Sequence, residues 1–284
     1  MQKSKGCAYL MDMGTGKTLT TIGLVGEMFS YGAIEKMLVV CPKSIVSVWE
    51  QEFNKFADFD YMLKILEGAV DYKSKALKML WTPNKLQVVV VNYESAWRME
   101  TELADWQPDI IVCDESSKIK NPQAKQSKAL HRLGRISKYN MILTGTPVTN
   151  NPLDFYSQYK FLDEKIFGTS FYVFRAKYAI LGGYGNHQII GYKNLDELTS
   201  KAHAIAYRVT KAEALDLPEQ VDIVHSIQLE PKTQYIYKKV EMESVAELES
   251  GEIMATNVLT KLLRLSQITG GFLHSDNADK FEKV

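Results

Sequence analysis

Five short apolar runs, rich in β-branched residues, punctuate the first half of the chain: CAYLMDM, KMLVVCP, KLQVVVVNYE, DIIVCDES and NMILTGTP. Each is nearly continuous in hydrophobicity rather than alternating, which predicts strands buried on both faces of a parallel sheet. Stretches with helical spacing separate them, among them KTLTTIGLVGEMFSYG, SIVSVWEQEFNKFA and NPQAKQSKALHRLGRI. Strand then helix, repeated, predicts an α/β doubly wound domain whose ligands sit at the carboxyl ends of the strands.

After about Asn151 the texture changes to aromatic segments with helical character, PLDFYSQYKFLDEKIFGTSFYVFRAKYAI, and then to the glycine-rich LGGYGNHQIIGYKN, which predicts a short hairpin or loop insertion between Gly182 and Tyr192. A strand-like run, VDIVHSIQL, follows Pro218. A helix from Pro231 and another over NVLTKLLRLSQITGG are predicted to follow, with the polar HSDNADKFEKV fraying at the end. No internal repeat or low-complexity tract is present.

Composition narrows the class. With 284 residues, 45% hydrophobic and 24% charged, the chain has enough apolar content for one large core or two modest ones. No run of eighteen or more apolar residues and no signal-peptide cleavage pattern occur, which points away from a membrane and towards the cytosol. Lysine plus arginine and aspartate plus glutamate number 34 each, so any nucleic acid would be held by local patches rather than bulk attraction. Cys7, Cys41 and Cys113 sit far apart in strand-like stretches and read as buried small hydrophobes. The histidines, His131, His187, His203, His225 and His274, fall at no metal-ligand spacing, so no zinc site is expected.

The chemistry-bearing stretch is MDMGTGKTLTTIGL, Met11 to Leu24. Apolar residues before it and an unbroken helical run after Lys17 make it strand, tight loop, helix. Gly14 and Gly16 let backbone N–H groups converge on an anion, and the helix N-terminus adds partial positive charge. Lys17 would then reach the β- and γ-phosphates of a nucleotide, and the Thr18 hydroxyl would help hold Mg²⁺. The full phosphate-loop pattern wants glycine where Met11 stands. A second acidic signal, Asp114 and Glu115, ends the run DIIVCDES about a hundred residues later. One carboxylate to hold the metal shell and one to polarise a water is what nucleotide hydrolysis requires.

In order, MDMGTGKT, VVCPKSIVSVWEQEF, VVVNYES, VCDESSKIKN and MILTGTPVTNNPLDFY resemble motifs I, Ia, Ib, II and III of the Swi/Snf-type group of superfamily-two helicase-like ATPases. The downstream YRVTKAEALDLPEQVDIVHSIQLEPKTQYIYKKV is similar to that group's segment between its two motor lobes. The resemblance implies the first RecA-like lobe of an ATP-driven translocase on double-stranded DNA, a monomer that works with a second RecA-like lobe. It implies an ATP-binding lobe over 1–150, a helical and hairpin extension completing it over 151–230, and a helical linker over 231–284. Carried over by position, Gly14, Thr15, Gly16, Lys17 and Thr18 bind ATP phosphates. Asp114 holds Mg²⁺ with Thr18, and Glu115 activates water. Lys43 and Ser44, then Asn92 and Tyr93, match contacts to DNA phosphates, and Thr144 and Gly145 fall at a further one. Thr144, Gly145 and Thr146 match the motif that couples the nucleotide site to DNA and the second lobe. Such phosphate contacts carry little sequence specificity.

Three positions depart from the family pattern. Met11 replaces an acid, and Ser116 and Ser117 stand where a small residue and then histidine or glutamine are usual, which bears on coupling; Lys118, Lys120, Asn121 and Pro122 keep the pattern. The adenine-reading glutamine motif, motifs IV to VI and the arginine finger are not found, so this lobe alone is expected to turn ATP over very slowly. Two alternatives stay open: a degenerate, non-hydrolysing module that binds DNA or a partner, and a helicase that separates strands. Trp49, Phe53 and Phe56 fall at helical spacing and are expected to pack their helix onto the sheet rather than stack on bases. Short insertions and lean composition suggest a bacterial or viral source, hence the cytoplasm, with the nucleus as the compartment for a eukaryotic one.

Overall fold

The computed structural model describes residues 4–79, 83–145, 151–183, 185, 188–216, 223–250, 255–274 and 281–283. The chain divides into two units, residues 1–217 and 218–284.

In the first unit β1 (Gly6–Met11) leads to α1 (Lys17–Ser30) and β2 (Lys36–Cys41). A single 3₁₀ turn, Lys43–Ile45, opens into α2 (Val46–Phe56), followed by β3 (Tyr61–Ile65), α3 (Val70–Lys78) and β4 (Leu86–Asn92). Two short helices, α4 (Tyr93–Arg98) and α5 (Glu100–Trp106), precede β5 (Ile110–Asp114); α6 (Lys125–Ile136) and β6 (Tyr139–Thr144) complete the repeat. All five runs that the apolar pattern singled out are strands.

The aromatic segment folds as α7 (Phe155–Leu162), α8 (Glu164–Phe167) and α9 (Phe171–Tyr178), and the glycine-rich stretch as an antiparallel pair, β7 (Ala179–Gly182) and β8 (Gln188–Tyr192). Then α10 (Leu195–His203), β9 (Ala206–Val209) and the one-turn α11 (Lys211–Ala214) return the chain to the sheet. Seven strands stand in the order β3-β4-β2-β5-β6-β1-β9, every neighbouring pair parallel.

The continuous hydrophobicity of the strands has a direct cause. Successive side chains point to opposite faces, and both faces are covered. Val88 and Val90 enter one core with Ile22, Val25, Trp49 and Phe53 of α1 and α2. Val89 and Val91 enter the other with Leu130, Leu133, Tyr159 and Phe174 of α6, α7 and α9. The extension is joined to that second core by a chain of rings: Tyr156 and Phe174 lie 5.1 Å apart between centroids, Phe174 and Tyr178 4.8 Å. Cys41 and Cys113 are buried and Cys7 half-buried, all with free thiols, and burial raises the pKa of each.

The structure goes beyond the apolar pattern at the sheet edges and departs from it downstream of the first unit. Two strands, β3 and β9, carry no strong apolar run, because each is a short edge strand with a single neighbour and partly wet side chains. Of the strand-like VDIVHSIQL, residues 223–229 form no strand, with Ile223, Val224 and Ile227 exposed, and Val221 and Asp222 lie outside the described residues. The second unit contains α12 (Pro231–Ser250) and α13 (Ala255–Thr269), as expected; β10 (Phe272–His274) pairs antiparallel with β11 (Phe281–Lys283), and the rest of the polar end expected to fray lies outside the described residues. No helix among the described residues is long and apolar enough to cross a membrane.

His131, on α6, is buried, with its Nε2 2.9 Å from the Ser157 carbonyl oxygen. Burial pushes its pKa down to about 4, although the bond to Ser157 opposes the shift. The native ring therefore stays neutral while the unfolded chain takes up a proton near 6.5, so stability falls as pH drops from about 6.5 towards 4. We expect His131 to remove about 2 kcal/mol between pH 7 and pH 5. Urea unfolding at both pH values, in the wild type and in His131→Gln, measures this as the difference in their pH slopes. Equal slopes would show that the ring titrates normally.

Candidate active site

The loop between β1 and α1 carries the first group of predicted residues. Gly14 and Gly16 take φ of +86° and +91°, and a Cβ on either would meet nothing within 4 Å, so backbone conformation rather than space demands glycine. Gly16 occupies the N-cap of α1 and supplies no side-chain cap, so the amides of the first turn face outward unpaired by any side chain. Thr15 donates its hydroxyl to the Asp12 carbonyl at 2.8 Å, closing the loop on itself. Lys17 folds back, with Nζ 2.9 Å from the Met11 carbonyl and 3.1 Å from that of Asp12. Thr18, half-buried, follows in the first turn.

Asp114 and Glu115 stand at the carboxyl end of β5, two strands from β1. Asp114 is buried and held at each of its oxygens: Oδ1 accepts the Glu115 N–H at 2.9 Å, Oδ2 the Trp49 indole N–H at 3.0 Å, and the main-chain oxygen the Tyr93 hydroxyl at 2.7 Å. Burial raises its pKa above the usual carboxylate value, against the Trp49 bond, which favours the ionised form. Glu115 adopts φ +51°, ψ 55°, an uncommon left-handed conformation for a side-chain-bearing residue. The chain thus bends sharply between the two acids.

Gly14, Gly16, Lys17, Thr18, Asp114 and Glu115 line one cleft of about 470 Å³, walled on its other side by α2. A larger hollow, about 610 Å³, lies at the opposite ends of the strands around Ile34, Lys36, Asp109 and Lys138. Its Asp109 is spent on the Glu35 and Lys36 N–H groups and on Lys138 Nζ, so the smaller cleft is the candidate site. Mg²⁺ keeps much of its shell as water and substrate phosphate and needs few protein ligands. One hydroxyl and one carboxylate on the same cleft, Thr18 and Asp114, fit such an ion. Among the described residues, no group of three or more histidines, cysteines or acids gathers to hold a metal unaided.

The other predicted residues divide. Lys43 and Ser44 are exposed in the turn after β2, at the same end of the sheet. Asn92 caps α4 by accepting the Ser95 N–H at 2.8 Å. Tyr93 requires a correction: it is 6% exposed and its hydroxyl is spent on Asp114, so its side chain does not face a DNA backbone. Thr144 is buried at the end of β6. Gly145 lies against the loop between β1 and α1, where a Cβ would come 3.3 Å from the Met11 carbonyl. Thr146 falls outside the described residues. Trp49 and Phe53 are buried as expected, with Phe56 half-buried. The polar duty of Trp49 was not anticipated, although a buried indole N–H generally needs an acceptor. Nor was the tie from Asp12, whose carboxylate accepts the Lys211 N–H at 2.9 Å while its own N–H reaches Val209.

A parallel sheet covered by helices on both faces, with a glycine loop opening a helix at the carboxyl end of an interior strand, defines a RecA-like α/β domain. The family model described as SNF2-related domain matches residues 1–270. The chain belongs to that family. The Sulfolobus solfataricus SWI2/SNF2 ATPase core in complex with dsDNA is similar in structure, with TM-score 0.61 and 29% identity, covering 93% of this chain and 53% of that one. DNA repair and recombination protein RAD54-like of Drosophila erecta is 29% identical over 93% of this chain and 32% of its own length. Zorya protein ZorD of Escherichia coli is 26% identical over 89% of this chain and 25% of its own. The chain therefore spans about a third or less of these two relatives.

Proposed function

We propose that this chain is the ATP-binding first lobe of a Swi/Snf-type motor that moves along double-stranded DNA. The observation that carries the reading is the convergence of Lys17 and Thr18 with Asp114 and Glu115 on one cleft. The loop amides at Gly14, Thr15 and Gly16 would cradle the phosphates, and Lys17 would exchange its two carbonyl partners for β- and γ-phosphate oxygens. Mg²⁺, when bound, neutralises charge developing on the phosphates. Thr18 and Asp114 would hold it, and Glu115 would take the proton of the attacking water. No arginine lines the cleft among the described residues, and in this reading the cation that stabilises the transferred phosphoryl group would come from a second lobe.

Exposed Lys43 and Ser44, at the carboxyl edge of the sheet, would contact DNA phosphates, with Asn92 nearby; one structural relative is described in complex with dsDNA. Gly145, against the phosphate-binding loop, and Thr144 and Thr146 beside it, would pass nucleotide state onward. Residues 1–150 would form the catalytic lobe, 151–230 its extension and 231–284 the linker of a monomeric motor.

Steady-state ATP turnover by the full-length protein, with and without duplex DNA, tests this reading. The expected result is DNA-stimulated turnover that Lys17→Ala abolishes, together with displacement of a triplex-forming strand but not of a duplex strand. Nucleotide binding without turnover would favour a non-cycling module, and release of a duplex strand would favour a helicase.

A further inference from the structure

Trp49 is buried to 1% exposure in the core between α2 and the sheet, stacked at an angle on Phe53 with centroids 6.3 Å apart. Packing alone does not account for where its N–H goes. Among the described residues the buried Nε1 of Trp106 meets no acceptor, so burial of an indole does not by itself bring its N–H to one. Trp49, by contrast, directs its N–H at 3.0 Å to Oδ2 of the one buried aspartate in the cleft.

We propose that Trp49 is a positioning residue that fixes the Asp114 carboxylate for the metal of the nucleotide site. The inference rests on the proposed nucleotide-binding reading and adds to it a residue that its phosphate and metal chemistry does not name. An ionised carboxylate has about four acceptor sites on two oxygens. In Asp114 one site on Oδ1 is filled by Glu115 N–H and one on Oδ2 by Trp49. With each oxygen tied from a different element, both side-chain torsions are set and the remaining lone pairs are left for the cleft. Partners of this kind, one step removed from a metal ligand, commonly change metal affinity by on the order of 10–100-fold when lost. Trp49 also lies within the first turns of α2, directly after the exposed Lys43–Ile45 turn. The turn that would meet DNA thus leads directly into the helix that holds the metal-site acid.

The test is the affinity of this chain for a fluorescent ATP analogue in Mg²⁺ and in EDTA, in wild type, Trp49→Phe and Phe53→Leu. Phe53→Leu disturbs the same core without touching Asp114. We expect Trp49→Phe to lose on the order of tenfold of the affinity that Mg²⁺ adds, with the EDTA value unchanged. Phe53→Leu should retain the full Mg²⁺ gain. If Trp49→Phe does not fold, replacing Trp49 with benzothienylalanine keeps the ring shape and substitutes sulfur for the N–H, and the same loss is expected. A Mg²⁺ gain equal to wild type in the variant lacking the N–H, or an equal loss in Phe53→Leu, would overturn the positioning role and leave the nucleotide site standing. A wild type that binds no nucleotide in either condition would instead remove the nucleotide reading and this inference together.

Discussion

Glu115→Gln is expected to lower DNA-stimulated ATP turnover of the full-length protein by roughly 10²–10⁴-fold, the range for loss of a general base. Nucleotide affinity should stay within about twofold, because the phosphate-facing groups are elsewhere. The two neighbouring acids differ sharply in environment. Asp114 is buried and held at both carboxylate oxygens, whereas Glu115 is half-exposed on the cleft and turned aside by its left-handed backbone. Asp114 is thereby suited to hold a fixed metal and Glu115 to exchange a proton with water. Glutamine has the same length and keeps the backbone N–H that Oδ1 of Asp114 accepts, so the substitution removes the base and little else. Single-turnover hydrolysis alongside equilibrium binding separates the two effects. Turnover above about a tenth of wild type would place the base on another residue. Lys17→Ala differs in kind, since it should fail at binding.

The core of the fold and the two stretches that line the candidate cleft were legible because each stretch is local in sequence. Interior strands such as β4 and β5 announce themselves through uninterrupted apolar runs, and the loop from Gly14 to Thr18 is contiguous. Edge strands were not legible. In β9, Tyr207 and Arg208 are largely exposed, and its place is set by β1, about two hundred residues earlier. The described part of VDIVHSIQL, residues 223–229, shows the converse, since β propensity alone gives no strand. The supports of the site are likewise invisible along the chain: Trp49 and Asp114 are 65 residues apart, and Asp12 and Lys211 199 apart. Such pairs are made by topology. Tyr93 was misjudged because the motif marks its position but not its direction, and the first turn of α4 points its ring inward.

Asn140→Leu should cost about 2–5 kcal/mol of stability, read as a lowered urea midpoint with an unchanged slope. Asn140 is wholly buried on β6, and its Nδ2 donates to the Gly134 carbonyl at 2.8 Å, to that of Phe161 at 2.9 Å and to that of Leu162 at 3.2 Å. The last two belong to the final turn of α7, whose carbonyls have run out of partners within the helix. Its Oδ1 accepts the Ser137 hydroxyl. One amide therefore ties the ends of α6 and α7 to the strand between them. Leucine matches the size but offers no donor, so buried carbonyls lose their partner at about 1–3 kcal/mol each, offset in part by the apolar gain. Gly134 retains two further donors, Lys5 Nζ and the Ser137 hydroxyl, which limit the loss at that carbonyl. Because α7 carries the ring contacts that hold the extension, the variant should also speed amide exchange in α7 and α9 more than in α1 and α2. A uniform increase across both faces of the sheet would mean that Asn140 stabilises the fold globally and does not act as the clamp of one helical layer.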